Sequence, residues 1–206
     1  MHPDHLRAWL AIRDRIPWPA AVEVPRYQAV RDGAEHDIRT YDEARSPERA
    51  SDLRAALAHS RADAGRPLTF DLLVGWQRHI LGTAEFRTGP AFAKGGRERY
   101  GLATPEELNA CLRQSTDATL PVAARAARTY LDVCFFHPFD DGNARAAFLA
   151  LAFVLAANGI VLDQVGPVRR LPRRADQPGD AVALAQLVTV LITASAQRSA
   201  FGGPRA

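Results

Sequence analysis

Cysteine is scarce: Cys111 and Cys134 are the only two in 206 residues. That number builds neither a disulfide framework nor a thiolate metal quartet. Among the six histidines, no pair has helix-face or metal-finger spacing near a third ligand, so a zinc reading fails. Charge of one sign is nowhere concentrated. Twenty-six basic and 23 acidic residues leave a net charge of +3, with no block that marks a nucleic-acid tract. The nearest to one, Arg169-Arg170 with Arg173-Arg174, reads as a solvated loop. The longest apolar run, 146–157, is shorter than the roughly 20 residues that span a bilayer. Met1-His2-Pro3-Asp4-His5 lacks the basic head and apolar core of a signal peptide. There is no internal repeat and no low-complexity segment. The expectation is a reduced, cytoplasmic setting, with no membrane and no direct nucleic-acid partner.

What is present is a full core's worth of apolar residues, 47% of the chain, enough for one domain with small appendages. The apolar positions recur at helical spacing. A short helix over 4–16 is capped by Asp4 and stopped by Pro17-Trp18-Pro19. Residues 22–41 give a mixed signal. Ser46-Pro47 opens a helix that stops near Gly65, and Thr69 opens another carrying Leu72, Leu73, Trp76 and Ile80. Thr104-Pro105-Glu106-Glu107 is a capping box for a helix to about Gln114. Helices follow over 120–136 and 144–157, the latter stopped by Asn158-Gly159, and a last one over about 180–198 closes the bundle. Cys134, in an apolar run, is expected to be a small buried hydrophobe. Between the helices, 85–100 breaks the pattern. Gly89, Pro90, Gly95, Gly96 and the closing Gly101 argue against helix, while Phe92, Arg97 and Tyr100 allow short strands about a Gly-Gly turn.

The chemistry concentrates in His137-Pro138-Phe139-Asp140-Asp141-Gly142-Asn143-Ala144-Arg145, a polar loop between two apolar helices. Pro138 pushes His137 out of helical geometry. Gly142 allows a tight turn and close approach of a ligand to the backbone. The helix that begins near Asn143 turns its free N–H groups and positive dipole end toward the loop, ready for an anion. Arg145, unfavourable to that dipole, suits bidentate contact with phosphate oxygens. Asp141 suits a magnesium ion bridging phosphate oxygens, or caps the helix. Asn143 serves as a cap, a phosphate contact or an organiser of the loop. His137 is the side chain best suited to take a proton near neutral pH, and Phe139 plugs the loop into the core. Asp140, Tyr130, His59 and His79 receive no functional role.

This run resembles the signature of the Fic (Fic/Doc) proteins, His-x-Phe-x-Asp/Glu-Gly-Asn-x-Arg, and matches every specified position. The resemblance implies an all-α fold, a helical bundle with a small β-hairpin flap over the active site. It covers roughly 46–198 in outline, with 1–45 as an N-terminal extension packed on the core and 199–206 as a flexible tail. It implies that His137 deprotonates a target hydroxyl, that Asp141 holds Mg²⁺, and that Gly142, Asn143, Ala144 and Arg145 bind the phosphates of ATP or another nucleotide donor. Segment 85–100 then looks like the flap, which aligns the target by strand addition, with Arg87, Thr88, Gly89 and Lys94 positioning the target.

Two departures bear on the donor. AMP-transferring relatives carry a second arginine three residues after the first, where this chain has Phe148. The Doc-like branch lacks that arginine too but usually has lysine where this chain has Ala144. No inhibitory Ser/Thr-x-x-x-Glu-Gly/Asn helix occurs at either end. The expected activity is protein adenylyltransferase-like transfer of AMP, or of another nucleotide- or phosphoryl-containing group, to a Ser, Thr or Tyr hydroxyl of a target protein. The alternatives are a Doc-like protein kinase toxin, a catalytically silent nucleotide-binding module, and a relative recruited to a small molecule. A separate antitoxin-like inhibitor and a homodimer are left open.

Overall fold

Two antiparallel helices form the centre of the molecule: α6 (Val122–Phe136) and α7 (Asn143–Ala156), joined by the nine-residue motif's loop. The computed structural model describes residues 3–23 and 26–202; Met1, His2, Val24, Pro25 and 203–206, the end of the expected tail, lie outside them. From Ala146 to Leu155 every residue of α7 is buried, as expected of a helix apolar all round. Around this pair pack α3 (Pro47–Ala62) and α4 (Phe70–Leu81) on one side and α9 (Pro178–Gly202) on α6 at the other. The remaining α-helices are α1 (His5–Ile12), α2 (Gly33–Asp37), α5 (Pro105–Leu112) and α8 (Gly166–Arg170), with short 3-10 or π turns at Arg13–Arg15, Ile38–Asp42 and Arg113–Thr116 and a hairpin of β1 (Ala91–Ala93) and β2 (Glu98–Tyr100). Among the described residues the fold is all-α but for that hairpin.

Local signals place most helix starts. The Asp4 carboxylate accepts from Leu6 and Arg7 N–H, Thr69 from Leu72 N–H, and the Thr104–Glu107 box closes in both directions. Ser46 holds the N-cap position of α3 without a side-chain bond. α9 runs through Gly202, beyond the expected end at 198, so the first part of the expected tail is helical. By length and composition α9 could cross a membrane; here Leu184, Ala185, Val188 and Ile192 are buried along its length.

The N-terminal helix is tied to α6 by a buried cluster. Asp132 accepts from Trp9 Nε1 (2.8 Å) and from Arg13 Nε (2.6 Å) and Nη2 (2.8 Å). Removing either charge would strand the other in the core, at a cost of about 3–5 kcal/mol. The cluster fixes the helix that delivers His137.

Candidate active site

At the end of α6 the chain turns through His137 in the left-handed region, φ 49° and ψ 55°. Pro138 disfavours the helical alternative, and a non-glycine residue in this conformation must be held there. Arg87 does the holding. Its backbone N–H donates to Pro138 O at 2.9 Å. Its guanidinium donates to His137 O (2.8 Å), Phe136 O (3.0 Å), Gly101 O (2.5 Å) and Gly89 O. The last carbonyls of α6, which a helix leaves unsatisfied, are thereby tied to both ends of the hairpin segment. Arg87, expected on the flap, lies buried beneath it, and its position is that of a clip between flap and loop.

Asn143 stitches the loop itself. Its Oδ1 accepts from Phe139 N–H at 2.9 Å and its Nδ2 donates to Phe139 O at 2.7 Å. An amide is the side chain that offers both functions on adjacent atoms. Asn143 lies inside α7, so Gly142 and not Asn143 is the N-cap residue. Phe139 is buried and stacked on Phe70, with centroids 5.5 Å apart, the plug its sequence position suggested. Gly142 has φ 76°, and a Cβ there would overlap the Gln77 amide, which donates to Asp141 O at 3.1 Å.

Among the described residues no side chain caps α7, so the capping alternative for Asp141 is not taken. Its Oδ1 accepts from the adjacent Gly142 N–H at 2.6 Å, and its Oδ2 from Arg145 Nη2 at 3.2 Å. The N–H groups of Asn143, Ala144 and Arg145 find no acceptor among the described residues. They are the free donors of a helix mouth.

His137, Asn143 and Ala144 line one cavity of about 340 Å³, together with Tyr100, Tyr130, Cys134 and Arg173. The imidazole stacks on Tyr100 of β2, centroids 4.2 Å apart. Tyr100 donates to Glu98 at 2.7 Å, and Glu98 accepts from Lys94 at the hairpin turn, also at 2.7 Å. Burial lowers the His137 pKa; the Cys134 carbonyl opposes the shift and Arg87 adds to it. The ring is therefore neutral at pH 7. Burial pushes the Cys134 thiol up to about 12, so it is no nucleophile.

Asp140 and Asp141 face a different cavity of about 670 Å³, lined also by Arg87, Thr88, Gly89 and Ala91. The loop thus separates base and carboxylate into neighbouring cavities. β1 pairs only with β2. The outer edge of β2 is taken by a bridge from Asp4 to Arg99, which leaves the edge of β1 without a strand partner among the described residues.

Tyr100, in contact with His137, carried no sequence signal beyond a possible strand. Its role comes from the hairpin folding back over the end of α6.

The arginine-rich stretch also differs from the expected solvated loop. Arg169 and Arg170 end the short helix α8. Arg169 is largely buried and pairs with Asp37 (2.5 Å) and Asp42 (2.7 Å), while Arg170 pairs with Asp37 (2.8 Å). Partners more than a hundred residues away leave no local pattern, which is why sequence reading missed them. His59 and His79, on α3 and α4, lie 3.1 Å apart, but no group of three metal-binding side chains occurs among the described residues.

Residues 67–155 match the model of the Fic/DOC family. No curated protein shows a sequence match to the chain. Among solved structures, Fic-1 (residues 134–508) from C. elegans aligns with a TM-score of 0.60 at 16% identity, covering 96% of this chain and 71% of that one. A Fic domain containing signaling protein from Bacteroides thetaiotaomicron aligns at 0.54 and 20% identity, covering 82% and 80%. A variant of IbpAFic2 in complex with adenylylated Cdc42 aligns at 0.55 and 13% identity, covering 92% and 71%. The fold is that of Fic-domain proteins, and the segment 67–155 that matches the Fic/DOC family model carries the motif.

Proposed function

We propose that this protein is a Fic-type transferase. It moves AMP, or another nucleotide- or phosphoryl-containing group, from a magnesium-bound nucleotide to a Ser, Thr or Tyr hydroxyl of a target protein. The observation that carries the reading is one shared cavity: a neutral imidazole at its wall, beside free backbone donors at the mouth of α7. The hydroxyl proton passes to His137, the hydroxyl oxygen bonds to phosphorus, and the bond to the leaving phosphate breaks. The N–H groups of Asn143, Ala144 and Arg145 face the charge that builds on the phosphate oxygens, and fixed donors of this kind supply much of the rate in such chemistry.

Asp141 is the residue that would hold a Mg²⁺ ion supplied with the donor, where the ion would neutralise phosphate charge. No three-ligand cluster could cage it among the described residues, but the Asp141 carboxylate, 72% exposed, fits an ion whose other ligands are phosphate and water oxygens. The open edge of β1 beside Thr88 and Gly89 suits a target segment added as a strand. The adenylylated Cdc42 in the IbpAFic2 complex supports a protein as acceptor. We place the reaction in a reducing, cytoplasmic setting, in keeping with two free thiols.

The test is incubation with Mg²⁺ and ATP labelled in turn at the α- and γ-phosphates, beside CDP- and UDP-linked donors. Label on protein from the α position is expected. Label from the γ position alone makes the protein a kinase, and no label from any donor contradicts the transferase reading.

A further inference from the structure

We propose that Arg169 and Arg170 of α8, with Arg145 of α7, form a subsite for the terminal phosphate of a nucleoside triphosphate. The inference rests on the reading of the α7 mouth as a phosphate site and deepens it by naming the ligand class. A second cavity, of about 330 Å³, is lined by Tyr41, Ala144, Arg145, Arg169 and Arg170. It shares Ala144, Arg169 and Arg170 with the cavity that holds His137. A phosphate chain that starts beside His137 therefore has a continuous path past Ala144 into a space walled by three guanidiniums. Among the described residues, no carboxylate lines that space.

The three arginines differ in how firmly they are held. Arg169 lies over the Phe148 ring, 5.1 Å from its centroid, and donates to Asp42 (2.7 and 3.0 Å) and Asp37 (2.5 Å). Burial works against its charge, but Asp42 and Asp37 more than offset this. The cation is preformed and rigid. Among the described residues, Arg170 makes one bond, Nη1 to Asp37 at 2.8 Å, and Arg145 one, Nη2 to Asp141. A guanidinium carries five N–H donors, so both keep donors for phosphate oxygens, which they grip in bidentate fashion. Asp37 and Asp42 hold α8 in place and also compete with the incoming phosphate.

Calorimetric titration of ATP and AMP into the full chain, with Mg²⁺ present, tests the subsite. Arg170→Gln is expected to weaken ATP about tenfold and to leave AMP unchanged. Asp42→Asn, which removes a competing charge beside Arg169, is expected to tighten ATP without tightening AMP, a gain that misfolding cannot imitate. Arg174→Gln, an exposed residue paired with Asp180, is the control for bulk charge. If Arg170→Gln and Asp42→Asn both leave the ratio of ATP to AMP affinity at its wild-type value, the subsite is wrong while the α7 phosphate site stands. Wild-type protein that binds neither nucleotide overturns both.

Discussion

The imidazole of His137 and the phenol ring of Tyr100 lie face to face, 4.2 Å between centroids and 15° from parallel. The contact joins the end of α6 to the second strand of the flap. It buries one face of the base and fixes the plane in which its nitrogens lie.

Tyr100→Ala should therefore change both the orientation and the hydration of His137. Transfer is expected to fall about tenfold, in the range that loss of positioning gives, and the His137 pKa to rise toward its ordinary value. Tyr100→Phe keeps the stack and loses only the bond to Glu98, so its imidazole titration should stay near wild type. NMR titration of the imidazole in the two variants checks this.

The pH profile follows from the burial of His137. Its pKa is lowered, and the base works only when unprotonated. The acid limb of kcat/KM is therefore expected below the ordinary histidine value of about 6.5, with activity flat through neutrality. Charged groups that act on the ring are Arg87, Glu98 and Asp141. The same shift makes stability fall with pH: below about 6.5 the unfolded chain takes up this proton first, and the loss is complete once pH passes below the folded pKa. Rate profiles and urea denaturation across pH measure the two effects.

Asn143→Ala removes both bonds to Phe139 and leaves a buried N–H and carbonyl unpaired. The expected cost is about 2–3 kcal/mol, with weaker nucleotide binding because the loop loses its shape. Asn143→Asp keeps an acceptor for the Phe139 N–H but sets a carboxylate against the Phe139 carbonyl, so it should fall near the alanine variant. Urea denaturation gives the first quantity and calorimetry the second.

Much of this architecture is legible in sequence because it rests on local chemistry. The caps at Asp4, Thr69 and Thr104, the turn at Gly142 and the plug at Phe139 each depend on residues a few positions apart. What stayed hidden depends on distance. Arg87 reads as a flap cation until α6 ends above it, and Arg169 reads as solvated until Asp37 and Asp42 arrive from the other end of the chain. Ion pairs of that range have no period and no motif. The division of His137 and Asp141 between two cavities was hidden for the same reason, since it depends on how the hairpin seats against the loop.

The most direct measurement is single-turnover transfer from α-labelled ATP by wild type and His137→Ala, with ATP affinity determined in parallel. Loss of a positioned base predicts a rate lower by about 10²–10⁴-fold at nearly unchanged affinity. Full activity in the alanine variant would contradict the account.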